Sequence, residues 1–261
     1  MSTSHYVLRG RHEVSLNVYI LSICVSLTLF IANATADSTF DSIKSDAFLE
    51  ELTRIAQPPC EFPSATESFF AVFGRDSNTE TALLSVLRDE SSDFYARRLT
   101  VWALTELGTD AAQTELTKFI EAPLPSSLPE GTTLEQRLDV LRTGIMYLGR
   151  IKNSSLLRQL ENWSSGAYWD SRADFQVAGT QIMTMEASQR ERIIAGLREA
   201  ALLSITWQAS SEAVALVERL VGTTCNDMHP TVLGNIVNEA RSKAGITNTA
   251  EPTSNTTAEL P

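Results

Sequence analysis

The chain has 261 residues, of which 21 are Lys or Arg and 32 Asp or Glu, for a formal net charge of −11. That excess of carboxylates repels nucleic acid and anionic lipid surfaces, which removes both as expected partners. Only 3 His and 3 Cys are present, so sites built from several histidines or paired thiolates are short of ligands from the outset.

Residues 1–36 read as a secretory signal. Arg9 and Arg11 precede an apolar run, Leu16–Ile31, and Ala34-Thr35-Ala36 supplies a small-residue exit before Asp37. Cleavage after Ala36 removes Arg9, Arg11 and Glu13 and takes the formal charge from −11 to −12. The mature protein is therefore expected outside the cytoplasm, periplasmic or extracellular, with no membrane segment of its own. An uncleaved anchor is the competing reading, because the run approaches the ~17–20 residues that span a bilayer. A lipoprotein signal fails at Cys24, where Ile23 stands in place of a small residue.

Helical periodicity organises the rest, and no segment sustains the alternation of a strand. Residues 37–78 form an N-terminal helical cap. Ser42–Ile55 is a helix capped by Asp41 or Ser42, Pro58-Pro59 ends it, and Ser64–Phe73 follows. Residues 79–246 form the main domain. Its predicted helices are Thr79–Leu87; Phe94–Leu107, capped by Ser92 or Asp93 and left through Gly108; Ala111–Ile120, capped by Thr109 or Asp110; Leu134–Leu148, closed by Gly149; and Ser154–Trp163. A Pro-rich loop, Pro123–Thr133, is long for such a chain. After a break at Ser164-Ser165-Gly166 come Ser171–Met185, Ala187–Leu203, Glu212–Val221 and Thr231–Ala244. Residues 247–261 lack apolar bulk and read as a disordered tail.

Within this pattern a degenerate repeat stands out. Arg97-Arg98 leads through Trp102-Ala103-Leu104 to Leu107-Gly108 and a following helix. The same order returns 41 residues later from Leu138 through Gly144-Ile145 to Leu148-Gly149 and another helix. A period of ~40 residues with helices on both sides of a Leu-Gly stop is the mark of stacked helical pairs. The expected fold is all-α, a short α-α superhelix with divergent terminal helices.

Over residues 82–161 this pattern resembles HEAT repeats, in particular the bacterial kind found in phycobilin-lyase-like proteins. Leu87-Arg88-Asp89 stands for the turn of the pair, Arg97 for the Arg that opens the second helix, Trp102-Ala103-Leu104 for its central run and Gly108 for its close. The second copy keeps Gly149 but sets Arg137 one place from the expected position. The resemblance implies an Arg97–Asp89 tie between turn and helix, and a binding surface on the second helices of the pairs. It implies no particular ligand.

Chemistry finds few candidates. His5 and His12 lie in the signal, leaving His229 before Pro230, where capping is the simpler role. Di-iron enzymes built on similar repeats need several His-Glu pairs, and the sole His-Glu here, His12-Glu13, falls in the signal. No phosphate cradle, calcium loop or nucleophile elbow occurs, so no cofactor, metal or catalytic residue is assigned. Cys60 and Cys225 form a disulfide in an oxidising compartment if the array curls, and cannot do so if the pairs stack in a line, since Cα atoms must approach within ~7 Å. Trp163, Tyr168 and Trp169 flank a predicted loop and admit two readings, a peptide- or carbohydrate-contacting patch or an anchor holding the loop to the array. The sequence thus favours an exported binding or scaffold module for another protein or peptide, without catalysis. The alternative is a secreted hydrolase with a carboxylate pair in a cleft.

Overall fold

The computed structural model describes residues 38–125, 128–176 and 185–246. The signal segment and the tail beyond residue 246 lie outside them. Contacts divide the chain into two units, Met1–Phe48 and Leu49–Pro261. In the first, the described residues are the opening turns of α1 (Ser38–Ala56), which starts earlier than the predicted Asp41 or Ser42 cap.

In the second unit every regular element among the described residues is helical. After α1 come α2 (Phe62–Phe73), α3 (Ser77–Arg88), α4 (Phe94–Leu107), α5 (Asp110–Glu121), α6 (Leu134–Leu148), α7 (Ser155–Trp163), α8 (Gly166–Ser171), α9 (Ala173–Gln176), α10 (Ala187–Trp207), α11 (Ser211–Gly222) and α12 (Pro230–Lys243). Local chemistry sets their starts. Asp76, Asp93, Thr109 and Ser210 each accept a backbone N–H in the first turn of the helix they open, and Thr133 with Gln136 makes a reciprocal capping box. His229 caps α12, its Nδ1 accepting from Thr231 N at 3.3 Å beside Pro230 at the first helical position.

The helices stack in two rows. The second row is continuous: α4 packs on α6, α6 on α10 and α10 on α12. The first row backs it, with α3 against α4, α5 against α4 and α6, α7 against α10, and α11 against α10 and α12. Helix α2 lies on α4, and the short α8 and α9 fill the step between α7 and α10. The core is the seam between rows, where Leu83, Leu99, Ala103, Leu104, Leu116, Ile145, Leu160, Ala201, Ile205 and Val217 have no exposed surface. Burial of these side chains at ~25 cal/mol per Å² of apolar surface drives the stacking, because each helical pair alone leaves one face wet.

The repeat extends further than the sequence pattern indicated. Arg198 precedes the α11 cap Ser210 by the same spacing that separates Arg97 from the α5 cap Thr109. The residues before those caps are both left-handed, Gly108 at φ 65° and Ala209 at φ 52°. Alanine pays roughly 1–2 kcal/mol to adopt that conformation, and glycine pays none. Ala209→Gly should therefore stabilise the protein by about 0.5–1 kcal/mol after the extra freedom glycine gives the unfolded chain is subtracted. Denaturant melts of the two proteins measure it, and a loss of stability would show that Ala209 is not strained.

Gly149 does not repeat the role of Gly108. Its backbone is right-handed, with φ −61° and ψ −14°. It is small because α10 passes against it: a Cβ there would sit 1.9 Å from Ser204 O. Gln208 seals the same crossing, its Nε2 donating to the carbonyls of Gly149 at 2.8 Å and Ile151 at 2.9 Å.

Candidate functional site

The residues of the repeat signature separate into clamps and surface. Asp89 feels the charge of Arg97, as the resemblance implied, but its hydrogen bonds are made elsewhere. It accepts from Ser91 N, Ser91 Oγ and Ser92 Oγ within the α3–α4 turn, and these hydrogen bonds hold its carboxyl below the usual range. Arg97 reaches Glu90 instead, at 2.7 Å, and donates to Leu87 O at 3.1 Å. Glu90 also receives Nε of Arg137 at 3.0 Å, so the offset arginine of the second copy converges on the same carboxylate. Both arginine side chains are 2% exposed. The ring of Phe119 lies under both guanidinium groups, 5.5 Å from Arg97 and 4.3 Å from Arg137. Burial draws the Arg137 pKa down to about 10, with Glu90 opposing and Arg97 adding to the fall.

Two more arginines perform the same task. Arg172 donates to Ile120 O and Ala122 O at the end of α5, both at 2.8 Å, while pairing with Asp174. Arg198 donates to Ser164 O beyond α7 and Thr224 O beyond α11, at 3.0 and 2.9 Å, and pairs with Asp227 through both terminal nitrogens. Each guanidinium satisfies carbonyls left open where a first-row helix stops.

Asp174 adds a pH-dependent element. Burial pushes its carboxyl up, but the Arg172 guanidinium and the amide of Leu124 outweigh that and leave its pKa below the usual carboxylate value. A depressed folded-state pKa contributes stability above the unfolded value of about 3.9, which is lost as pH falls through the folded value. Trp169, 5.4 Å from the Arg172 guanidinium, should report release of this contact by a fluorescence change below about pH 4. The same transition in Asp174→Asn would assign it elsewhere.

Trp163 and Trp169 present no surface: both are fully buried, and Trp169 Nε1 donates to Trp163 O at 2.7 Å. The predicted loop around them is α8, and they anchor it to the array, leaving only Tyr168 partly exposed. Cys60 and Cys225 stand as free thiols, the arrangement expected where the pairs stack in a line. They belong to different layers. Cys60 feels Arg98 of α4, whereas the buried Cys225 donates to Ser164 O at 3.4 Å beside Arg198 of α10. Burial pushes both thiols up and away from the reactive thiolate form.

A second aromatic cluster lies on the second row near the ends of its helices, with Trp102 buried and Phe62, Tyr147 and Trp207 half-buried. Phe62 of α2 stacks on Trp102 of α4 at 5.5 Å, and Trp102 meets Tyr147 of α6 edge to face at 4.4 Å. Arg150, just past α6, lies over the Trp102 ring at 4.0 Å and reaches toward Trp207 of α10 at 5.7 Å. Lys243 of α12 sits over Trp207 with Nζ 3.1 Å from the ring centroid. Glu106 ties this ridge together, accepting from Trp102 Nε1 at 3.0 Å and from Arg75 and Arg150 at 3.3 Å each. Along the same row, the pairs Arg98–Asp139 and Arg142–Glu199 cross from α4 to α6 and from α6 to α10, with Arg98 5.1 Å over the Phe62 ring.

No family model matches the chain, and no curated protein or solved structure matches it significantly. Among the described residues no group of three His, Cys, Asp or Glu is placed to hold a metal, and no helix is long and apolar enough to cross a membrane.

Proposed function

We propose that this chain is an exported binding or scaffold module, built of HEAT-like helical pairs, which holds another protein or peptide on the exposed side of its second row and performs no chemistry. The observation that carries this reading is the ridge: the half-buried rings of Phe62, Tyr147 and Trp207 come from three different helices and are joined through the buried Trp102 and by contacts with Arg150 and Lys243. Aromatic rings and arginine dominate the energetics of protein interfaces, and stacked pairs present such groups in line across successive layers. Export rests on the basic, apolar and small-residue order of residues 1–36.

A carboxylate hydrolase needs one acid kept protonated beside another kept ionised. The carboxylates whose pKa departs from the ordinary value, Glu51, Asp76, Asp89, Glu115, Asp174 and Asp227, all move down. Their environments favour the ionised form, which speaks for binding over acid catalysis.

Immobilised residues 37–261 should retain partner proteins from the exported fraction, and Arg150→Glu should release them by at least about tenfold while leaving far-UV circular dichroism unchanged. Identical capture by both proteins would reject the ridge as the binding surface. In the same preparation, a mature N-terminus reading Asp37-Ser38-Thr39 is the expected result of export.

A further inference from the structure

We infer that the segment docking on the ridge is an acidic peptide, an extended stretch of a partner protein carrying Asp or Glu side chains. This rests on the binding reading above and adds the chemistry of the partner. The whole chain is strongly acidic, at −11, yet the ridge gathers cations. Arg75, Arg98, Arg150, Lys152 and Lys243 are joined by contacts through Phe62, Glu106, Trp102 and Trp207, and the carboxylates they meet are Glu106, Asp139 and Glu239. A local excess of positive charge on an acidic surface marks a place where an anionic partner is guided and held.

The excess is sharpest around Trp207. Lys152 Nζ donates to the Trp207 carbonyl, Lys243 Nζ lies over its indole ring, and Arg150 approaches the same ring. Lys152 makes no ion pair among the described residues, and its pKa is lowered first by burial and then by Lys243. Glu106 pairs with Arg150 and Glu239 with Lys243, which leaves Lys152 met only by the carbonyls at the end of α10, worth about half a negative charge. The side chains of Arg150 and Lys243 remain 26% and 23% exposed beside those pairs, and Lys152 is exposed, so solvent-accessible cations border the ring. Rings set between the cations suit a peptide, whose side chains alternate apolar and charged contacts. A nucleic acid or an anionic bilayer carries denser charge and would meet the repulsion of the whole acidic surface.

Fluorescence anisotropy on the full mature chain tests this, with a fluorescein-labelled Glu-rich peptide, its Gln-for-Glu counterpart and a Lys-rich peptide as probes. The Glu-rich probe should bind, weaken with added salt and change Trp fluorescence. Lys152→Gln and Lys243→Gln should each weaken it by about five- to tenfold. Neither substitution at this like-charge cluster should lower the melting temperature, whereas a purely structural role for these lysines would lower it and spare binding. Failure of the Glu-rich probe to bind, or equal binding of the Gln counterpart or the Lys-rich peptide, overturns the acidic partner while the ridge stands. Tighter binding of a single-stranded oligonucleotide or an anionic vesicle overturns the peptide class. If Arg150→Glu captures the same proteins as the wild type, the underlying binding reading is what fails.

Discussion

Glu90→Gln should destabilise the protein by about 3 kcal/mol, a fall in melting temperature of about 6–12 °C for an array of this size. The reason is the count of charges on one carboxylate. Arg97 and Arg137 are both 2% exposed and both pair with Glu90. Neutralising it strands two buried guanidinium groups, of which Arg97 Nε and Arg137 Nη1 already have no hydrogen-bond partner among the described residues. Glu90 itself is 31% exposed, which moderates the loss relative to a fully enclosed pair. The double variant Glu90→Gln, Arg137→Met should recover much of the stability, since the second cation is removed with its partner. A single-variant loss below about 0.5 kcal/mol would show that solvent, rather than Glu90, balances these arginines.

Gly149→Ala should cost about as much for a different reason, about 3 kcal/mol by overpacking. The added methyl would meet Ser204 O at 1.9 Å and Ser204 C at 2.6 Å, and those are backbone atoms that no rotamer change can move aside. Helix α10 would have to withdraw from α6, breaking the Gln208 hydrogen bonds to Gly149 and Ile151. Gly108→Ala is the control. Its φ of 65° makes alanine strained, but no atom lies closer than 3.9 Å to the new methyl, so the cost is only about 1 kcal/mol. Chemical melts rank the two, and a larger loss at Gly108 than at Gly149 would contradict the close passage of α10.

Much of the fold was legible because it is written in local chemistry. The bounds of α4 and α6 coincide with the predicted helices, and Asp93 and Thr109 cap as their positions suggested. What was left open or missed shares a cause, which is dependence on residues distant in sequence. Gly149 does close α6 as its neighbours suggest, while the atom that requires a glycine there comes from Ser204. Trp163 and Trp169 admit two readings beside a Ser-Ser-Gly break, and the anchor holds, because α8 folds them inward. Glu90, one place from the expected Asp89, holds two arginines separated by a whole layer. The ridge was the largest omission, since Phe62, Trp102, Tyr147 and Trp207 lie on helices that pattern alone assigns to packing. A faint signal was available: Arg150, Lys152 and Lys243 follow or close second-row helices, where cations favour the helix end.

The buried arginines also set how the molecule comes apart. Arg137 joins α6 to the turn after α3, Arg172 joins the segment before α10 to the end of α5, and Arg198 joins α10 to the exits of α7 and α11. Three steps between neighbouring layers are thus crossed by a buried guanidinium. Stacked arrays without such ties lose their end layers first and melt in stages, because each unit leans only on its neighbours. Here, peeling one layer away exposes the broken half of an ion pair in the next, so partial unfolding gains little entropy for a large electrostatic loss. The layers that these arginines join should unfold together.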